Sequence, residues 1–156
     1  MHSIRRALAG LAAITAVTLG LGLTTVGTAA AADGSWRAYG NTNPITSSSS
    51  TWKCGSTKTV AYSVLAQVCM VRSARGDDMQ GAVIVRNNNR VGLFMTDASV
   101  SLHRPSGAQV DKWFCEDSGV AANSWSVCFG KTIAYPGATR AVGVANNVGL
   151  GSSPNI

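Results

Sequence analysis

Four cysteines, Cys54, Cys69, Cys115 and Cys128, stand among short apolar runs that are broken repeatedly by Gly, Asn, Ser and Pro. That pattern constrains the fold more than any other feature. Beyond the first 32 residues, no apolar repeat at helical spacing survives more than two turns. What remains is strand-length material separated by turn residues, with cysteines spaced through it.

The compartment follows from the start of the chain. Met1 to Arg6 is short and basic, Ala7 to Gly27 carries no charge, and Thr28-Ala29-Ala30-Ala31-Ala32 closes the run with small residues. This is the pattern of a secretory signal peptide over residues 1–32. A retained membrane anchor is the rival reading, and the small-residue cleavage site argues against it. No other stretch is long and apolar enough to span a bilayer. Cleavage after Ala32 leaves 124 of the 156 residues, one domain's worth, with eleven bases against seven acids and His103 as the sole histidine. The expected location is extracellular.

An even number of cysteines in an exported chain reads as two disulfides. Four cysteines allow three connectivities. Cys54–Cys69 and Cys115–Cys128 are favoured because each pair is close in sequence and separated by a turn-like stretch. Each closed loop is worth roughly 3 kcal/mol. A zinc site competes weakly, since no C-x-x-C spacing exists.

Strand-like runs are expected at Thr59–Arg72, Gly81–Arg86, Val91–Met95, Ala98–His103 and Ala141–Val148. Val110–Glu116 and Trp125–Tyr135 read as a long hairpin around a polar loop, Asp117–Asn123, with Cys115 and Cys128 facing across it. The expected class is all-β: a small disulfide-braced β-sandwich or barrel with an extended N-terminal segment. Residues 33–50 form that segment and its serine tether, and residues 51–156 form the β domain.

Catalytic constellations are scarce. His103 is the only imidazole base, and no G-x-S-x-G elbow accompanies it. Asp77, Asp78, Asp97, Asp111, Glu116 and Asp117 read as turn acids or as neighbours of lysines, rather than as a paired-carboxylate site. Arg75-Gly76-Asp77 is a three-residue match that arises readily by chance. The bases are spread singly, so the positive charge does not point to nucleic acid. No metal and no cofactor are expected, and the chain reads as a non-enzyme.

Trp113 and Trp125 are expected to pack against the Cys115–Cys128 bridge, and Trp52 against Cys54. Trp36 has no such partner. It opens Trp36-Arg37-Ala38-Tyr39-Gly40-Asn41-Thr42-Asn43-Pro44-Ile45, which runs into Ser47-Ser48-Ser49-Ser50. Pro44 pushes Asn43 toward extended geometry. An extended peptide with spaced aromatics suits β-augmentation or groove insertion, and Trp and Tyr are common interface hot spots. Trp36, Arg37, Tyr39, Asn41, Asn43, Pro44 and Ile45 are therefore the candidate partner-binding residues. The plain alternative is a first strand of the chain's own sheet, with Trp36 filling the core.

In this order of parts the chain resembles the small adaptor subunit of the actinobacterial umbrella toxin particles. The resemblance rests on the signal peptide, the Trp36–Pro44 segment, the serine tether and the disulfide-bearing β domain. It implies a non-enzymatic link inside a secreted antibacterial complex. The N-terminal segment would enter a cleft of a trypsin-like lectin subunit, and the β domain would dock on the repeats of a large toxin subunit. Two other classes stay open: a peptidase inhibitor presenting Asp117–Asn123, and a carbohydrate- or cell-wall-binding module.

Overall fold

Alternation decides where each residue goes. In the computed structural model, which describes residues 32–156, the chain folds into strands alone, with no helix among the described residues. The expected signal peptide lies outside the described residues except for Ala32.

One sheet is built from β1 (Ala32–Asp33), β8 (Gln109–Val120), β7 (Phe94–His103), β11 (Arg140–Ala145) and β12 (Val148–Ser152), in that spatial order. The other runs β2 (Ser35–Gly40), β9 (Ser124–Phe129), β6 (Asp78–Asn87), β5 (Val64–Arg72) and β3 (Thr51–Cys54). Two short strands extend this second sheet: β4 (Lys58–Ala61) on β5 and β10 (Ile133–Ala134) on β6. Side chains from both sheets meet in one core that includes Val68, Met70, Val83, Val85, Val100, Leu102, Trp113 and Leu150. The expected all-β, disulfide-braced sandwich is the observed fold.

Both favoured disulfides form, and no cysteine is free. Their settings differ. Cys54 and Cys69 lie directly opposite each other in the β3–β5 pair. Cys115 and Cys128 do not face each other across a hairpin. β8 belongs to the first sheet and β9 to the second, so this bridge ties sheet to sheet. The expected hairpin fails because β8 continues through Asp117 to Val120, where it still pairs with β7. The chain then changes sheets within the tight turn at Ala121–Asn123, where Asn123 adopts a φ of 49°.

Other boundaries shift for local reasons. Thr59–Arg72 splits into β4 and β5 at Tyr62-Ser63, where Ser63 has a φ of 53°. Val91–Met95 and Ala98–His103 contribute to a single strand, β7, opposite a bulge in β8 where Glu116 and Asp117 face Asp97, while residues 91–93 lie in the preceding loop. Ala141–Val148 is interrupted by Asn146-Asn147, both with positive φ, and the Gly/Ser-rich end becomes strand β12. Asn tolerates that geometry well enough to make a two-residue hairpin turn.

The N-terminal segment straddles both sheets. β1 pairs in parallel with β8, and β2 pairs antiparallel with β9. Between them, the Gly34 amide donates to the Phe114 carbonyl at 2.7 Å. A Cβ at Gly34 would stand 2.7 Å from the Cys115 sulfur and 2.8 Å from the Phe129 carbonyl oxygen. Only glycine fits.

Two outcomes test this arrangement. Replacing Cys115 and Cys128 together by Ala should lower unfolding free energy by about 3 kcal/mol. Gly34→Val should cost roughly 1–3 kcal/mol through overpacking against both sheets. Urea unfolding of the oxidised mature protein measures both.

Candidate interaction surface

Period-two alternation gives the seven-stranded sheet two unlike faces. Residues of one parity enter the core. Those of the other parity point away from it and gather a second apolar cluster: Cys69, Val71, Ala82, Ile84 and Val127, flanked by Tyr39, Ile45, Trp52, Trp125 and Phe129. Trp52 meets Phe129 edge-to-face, with centroids 6.0 Å apart. A polar outer face would be the ordinary choice for a sandwich. This one is aromatic.

The segment residues separate by the same rule. Trp36 pairs with Cys128 and turns inward, packing half-buried against the main core. Its indole N–H donates to the Glu116 carbonyl at 2.6 Å. Arg37 and Tyr39 point outward, with the guanidinium 5.1 Å from the Tyr39 ring centroid. Beyond Gly40, with its φ of 54°, the chain does not extend away from the domain. Thr42 N–H donates to the Tyr39 carbonyl, and Ile45 N–H to the Asn43 side-chain oxygen, both at 3.0 Å. Pro44 is buried, and Ile45 joins the outer cluster. Asn41 is exposed. Ser47 and Ser50 are drawn into local turns, so the serine run is folded rather than a slack tether.

Of the candidate residues, then, Arg37 and Tyr39 share one outward face, and Pro44 and Ile45 lie against that side of the domain. Trp36 serves the core margin. The inward turn of Trp36 answers the question left open by the sequence: the segment is the edge strand of its own sheet.

Residues the sequence reading did not single out complete the surface. Leu65, Arg86 and Trp125 are cross-strand neighbours on β5, β6 and β9, and Gln67 and Ile84 form the adjoining rung. Together with Thr57 they line a hollow of about 90 Å³. The Arg86 guanidinium stands 5.1 Å from the Trp125 ring centroid. Trp125 therefore does not pack on the Cys115–Cys128 bridge as expected. It is three residues from Cys128, and an odd separation along a strand reverses the face. Trp113, two residues from Cys115, does turn inward and shares the core with that bridge. Strand parity was the signal that distinguishes these two tryptophans.

A second apolar surface lies at one end of the sandwich. Tyr62 is 89% exposed, Val91 82%, Leu93 62% and Met95 54%, at and beside the β4–β5 and β6–β7 turns. Asn89 joins these turns by donating from its side-chain amide to the Tyr62 carbonyl at 3.2 Å.

His103 has a neighbour that its sequence position hid. Its Nε2 lies 2.9 Å from Ser101 Oγ, and its Nδ1 lies 3.1 Å from the Gly107 carbonyl. Ser101 is two residues away on the same face of β7, buried in mid-strand between Lys112 and Val142. A nucleophile needs access and preorganised oxyanion donors. Here both flanking backbones are committed to the ladder. The pair reads as a strand-end hydrogen bond that holds the Arg104–Gly107 turn.

No family model matches this chain, and no curated protein or solved structure does.

Trp36→Ala should cost roughly 2 kcal/mol, below the range for fully buried aromatics because the ring is only half-buried. Arg37→Ala should stay within about 0.5 kcal/mol. Chemical unfolding of the two variants checks the division between the inward and outward residues of β2.

Proposed function

We propose that this chain is a secreted, non-enzymatic adaptor. It links a lectin-type subunit to a large repeat-containing toxin subunit in an antibacterial complex, as its resemblance to the small umbrella-particle subunit implies. The observation that carries the reading is the outer face of the seven-stranded sheet. There an edge strand, β2, presents Arg37 and Tyr39 beside the Arg86–Trp125 stack and an apolar cluster. Edge strands offer unpaired backbone groups for β-augmentation, and arginine with aromatics forms the usual hot-spot chemistry of interfaces.

The segment would meet its partner through the free edge of β2, the outward side chains Arg37 and Tyr39, and the turn running from Asn41 through Asn43. In this reading Trp36 supports that surface from the core side, and the turn with Pro44 and Ile45 borders it on the outer face. An adaptor also needs a second surface, and the exposed Tyr62, Val91, Leu93 and Met95 favour one at the loop end of the domain. Two disulfides suit an oxidising, extracellular setting.

The test is affinity capture from the producing organism's culture fluid, with the tagged mature protein beside an Arg37→Glu/Tyr39→Ala variant of matched thermal stability. Wild type should retain a trypsin-like lectin chain and a large repeat-containing polypeptide, identified by mass spectrometry. The variant should lose the lectin chain. Retention of neither by wild type, or equal retention by both proteins, would overturn the adaptor reading.

A further inference from the structure

The hollow beside Trp125 is chemically selective. Its walls include Leu65, Ile84 and Trp125, with Gln67 and Thr57 joined by a 3.2 Å hydrogen bond between their side chains. At about 90 Å³ it is smaller than the roughly 150 Å³ apolar cavity that takes up a benzene. One aliphatic side chain fits. A sugar ring fits poorly, because stacking needs a bare aromatic face and Arg86 lies over Trp125.

Arg86 adds a charge requirement. Its Nε donates to the Asn88 side-chain oxygen at 2.9 Å, and one terminal nitrogen donates to the side-chain oxygen of Asn123. Both partners are neutral amides. The remaining nitrogen, Nη1, is shielded from solvent and has no hydrogen-bond partner. Arg86 as a whole is half-buried, and leaving one shielded donor unpaired carries a cost of its own. The neighbouring strands offer no relief: β2, β3, β5 and β9 contain no acid, and the only one in β6 is Asp78, at the end opposite Arg86. The site is preorganised by two asparagines and lacks its counter-charge.

We infer that this hollow receives an aliphatic side chain of a partner polypeptide, with an adjacent Asp or Glu carboxylate of that partner on Arg86. The inference deepens the adaptor reading and rests on it for the partner's being a protein. The two asparagines hold the guanidinium in place before binding, so little side-chain entropy is lost when the carboxylate arrives. The aliphatic group supplies apolar burial, and the carboxylate supplies selectivity.

The experiment is a nuclear magnetic resonance titration of the isotope-labelled mature protein with three capped tetrapeptides. One carries Leu-Asp at its centre, one Leu-Lys and one Ala-Asp. The Leu-Asp peptide should shift the Trp125 indole N–H and the Ile84 and Leu65 methyl signals. The Leu-Lys peptide should bind at least about tenfold more weakly, the loss of one charge-assisted hydrogen bond. The Ala-Asp peptide should also bind more weakly. Arg86→Gln should abolish the preference for Asp over Lys, and Leu65→Trp, which fills the hollow beside Arg86, should abolish binding. Absence of shifts at these signals, or equal binding of the Asp and Lys peptides, overturns the inference. Peptide binding in a protein that captures no secreted partner would retain this site and overturn the adaptor reading. Partner capture by a protein whose hollow stays silent would do the reverse.

Discussion

The transition from β8 to β9 is the constraint on which the rest of the structure depends. Two consecutive strands lie in opposite sheets, and three devices hold them together at one edge. The Cys115–Cys128 bridge joins them covalently. The N-terminal segment pairs with β8 through β1 and with β9 through β2. Gly34 sits between, where a side chain would strike the Cys115 sulfur and the Phe129 carbonyl. Strands of one sheet are fixed by ladder hydrogen bonds, whereas sheets are fixed to each other mainly by nondirectional packing. A covalent tie and a shared strand supply the missing direction.

That edge also determines what the molecule shows to its surroundings. Because β2 is pinned beside β9, Arg37 and Tyr39 are aligned with Trp125, Val127 and Phe129 rather than dispersed on a loose tail. The turn through Asn43, Pro44 and Ile45 then covers part of the outer cluster. The rung of Leu65, Arg86 and Trp125 stays accessible, as its hollow shows. A surface of this kind is rigid before binding, which lowers the entropic cost of ordering it on a partner.

Much of the fold was legible in the sequence. Turn residues and strand-length runs gave the all-β class, and cysteine spacing gave both disulfides. What was not legible was which strands share a sheet. Asp117–Asn123 reads as a loop because it is polar, yet Asp117 to Val120 belong to β8 and carry its pairing with β7 onward. Polarity there marks the solvent face of a strand. The site was legible only in part. Arg37 and Tyr39 were visible as aromatic and basic groups on a segment, but the hollow draws on β5, β6 and β9 together, and no local pattern reports that convergence. The inward turn of Trp36 likewise depends on its register with Cys128, a long-range fact. Parity along β9 was the one overlooked local clue, since Trp125 and Cys128 cannot share a face of a regular strand.

Native-state hydrogen exchange tests most directly whether the N-terminal segment is a fixed part of the sandwich. The account predicts that the Gly34 amide, bonded to Phe114, and the β2 amides bonded to β9 exchange as slowly as the neighbouring β9 ladder. Exchange of residues 34–40 at the rate of an unstructured peptide, with β9 still protected, would contradict it.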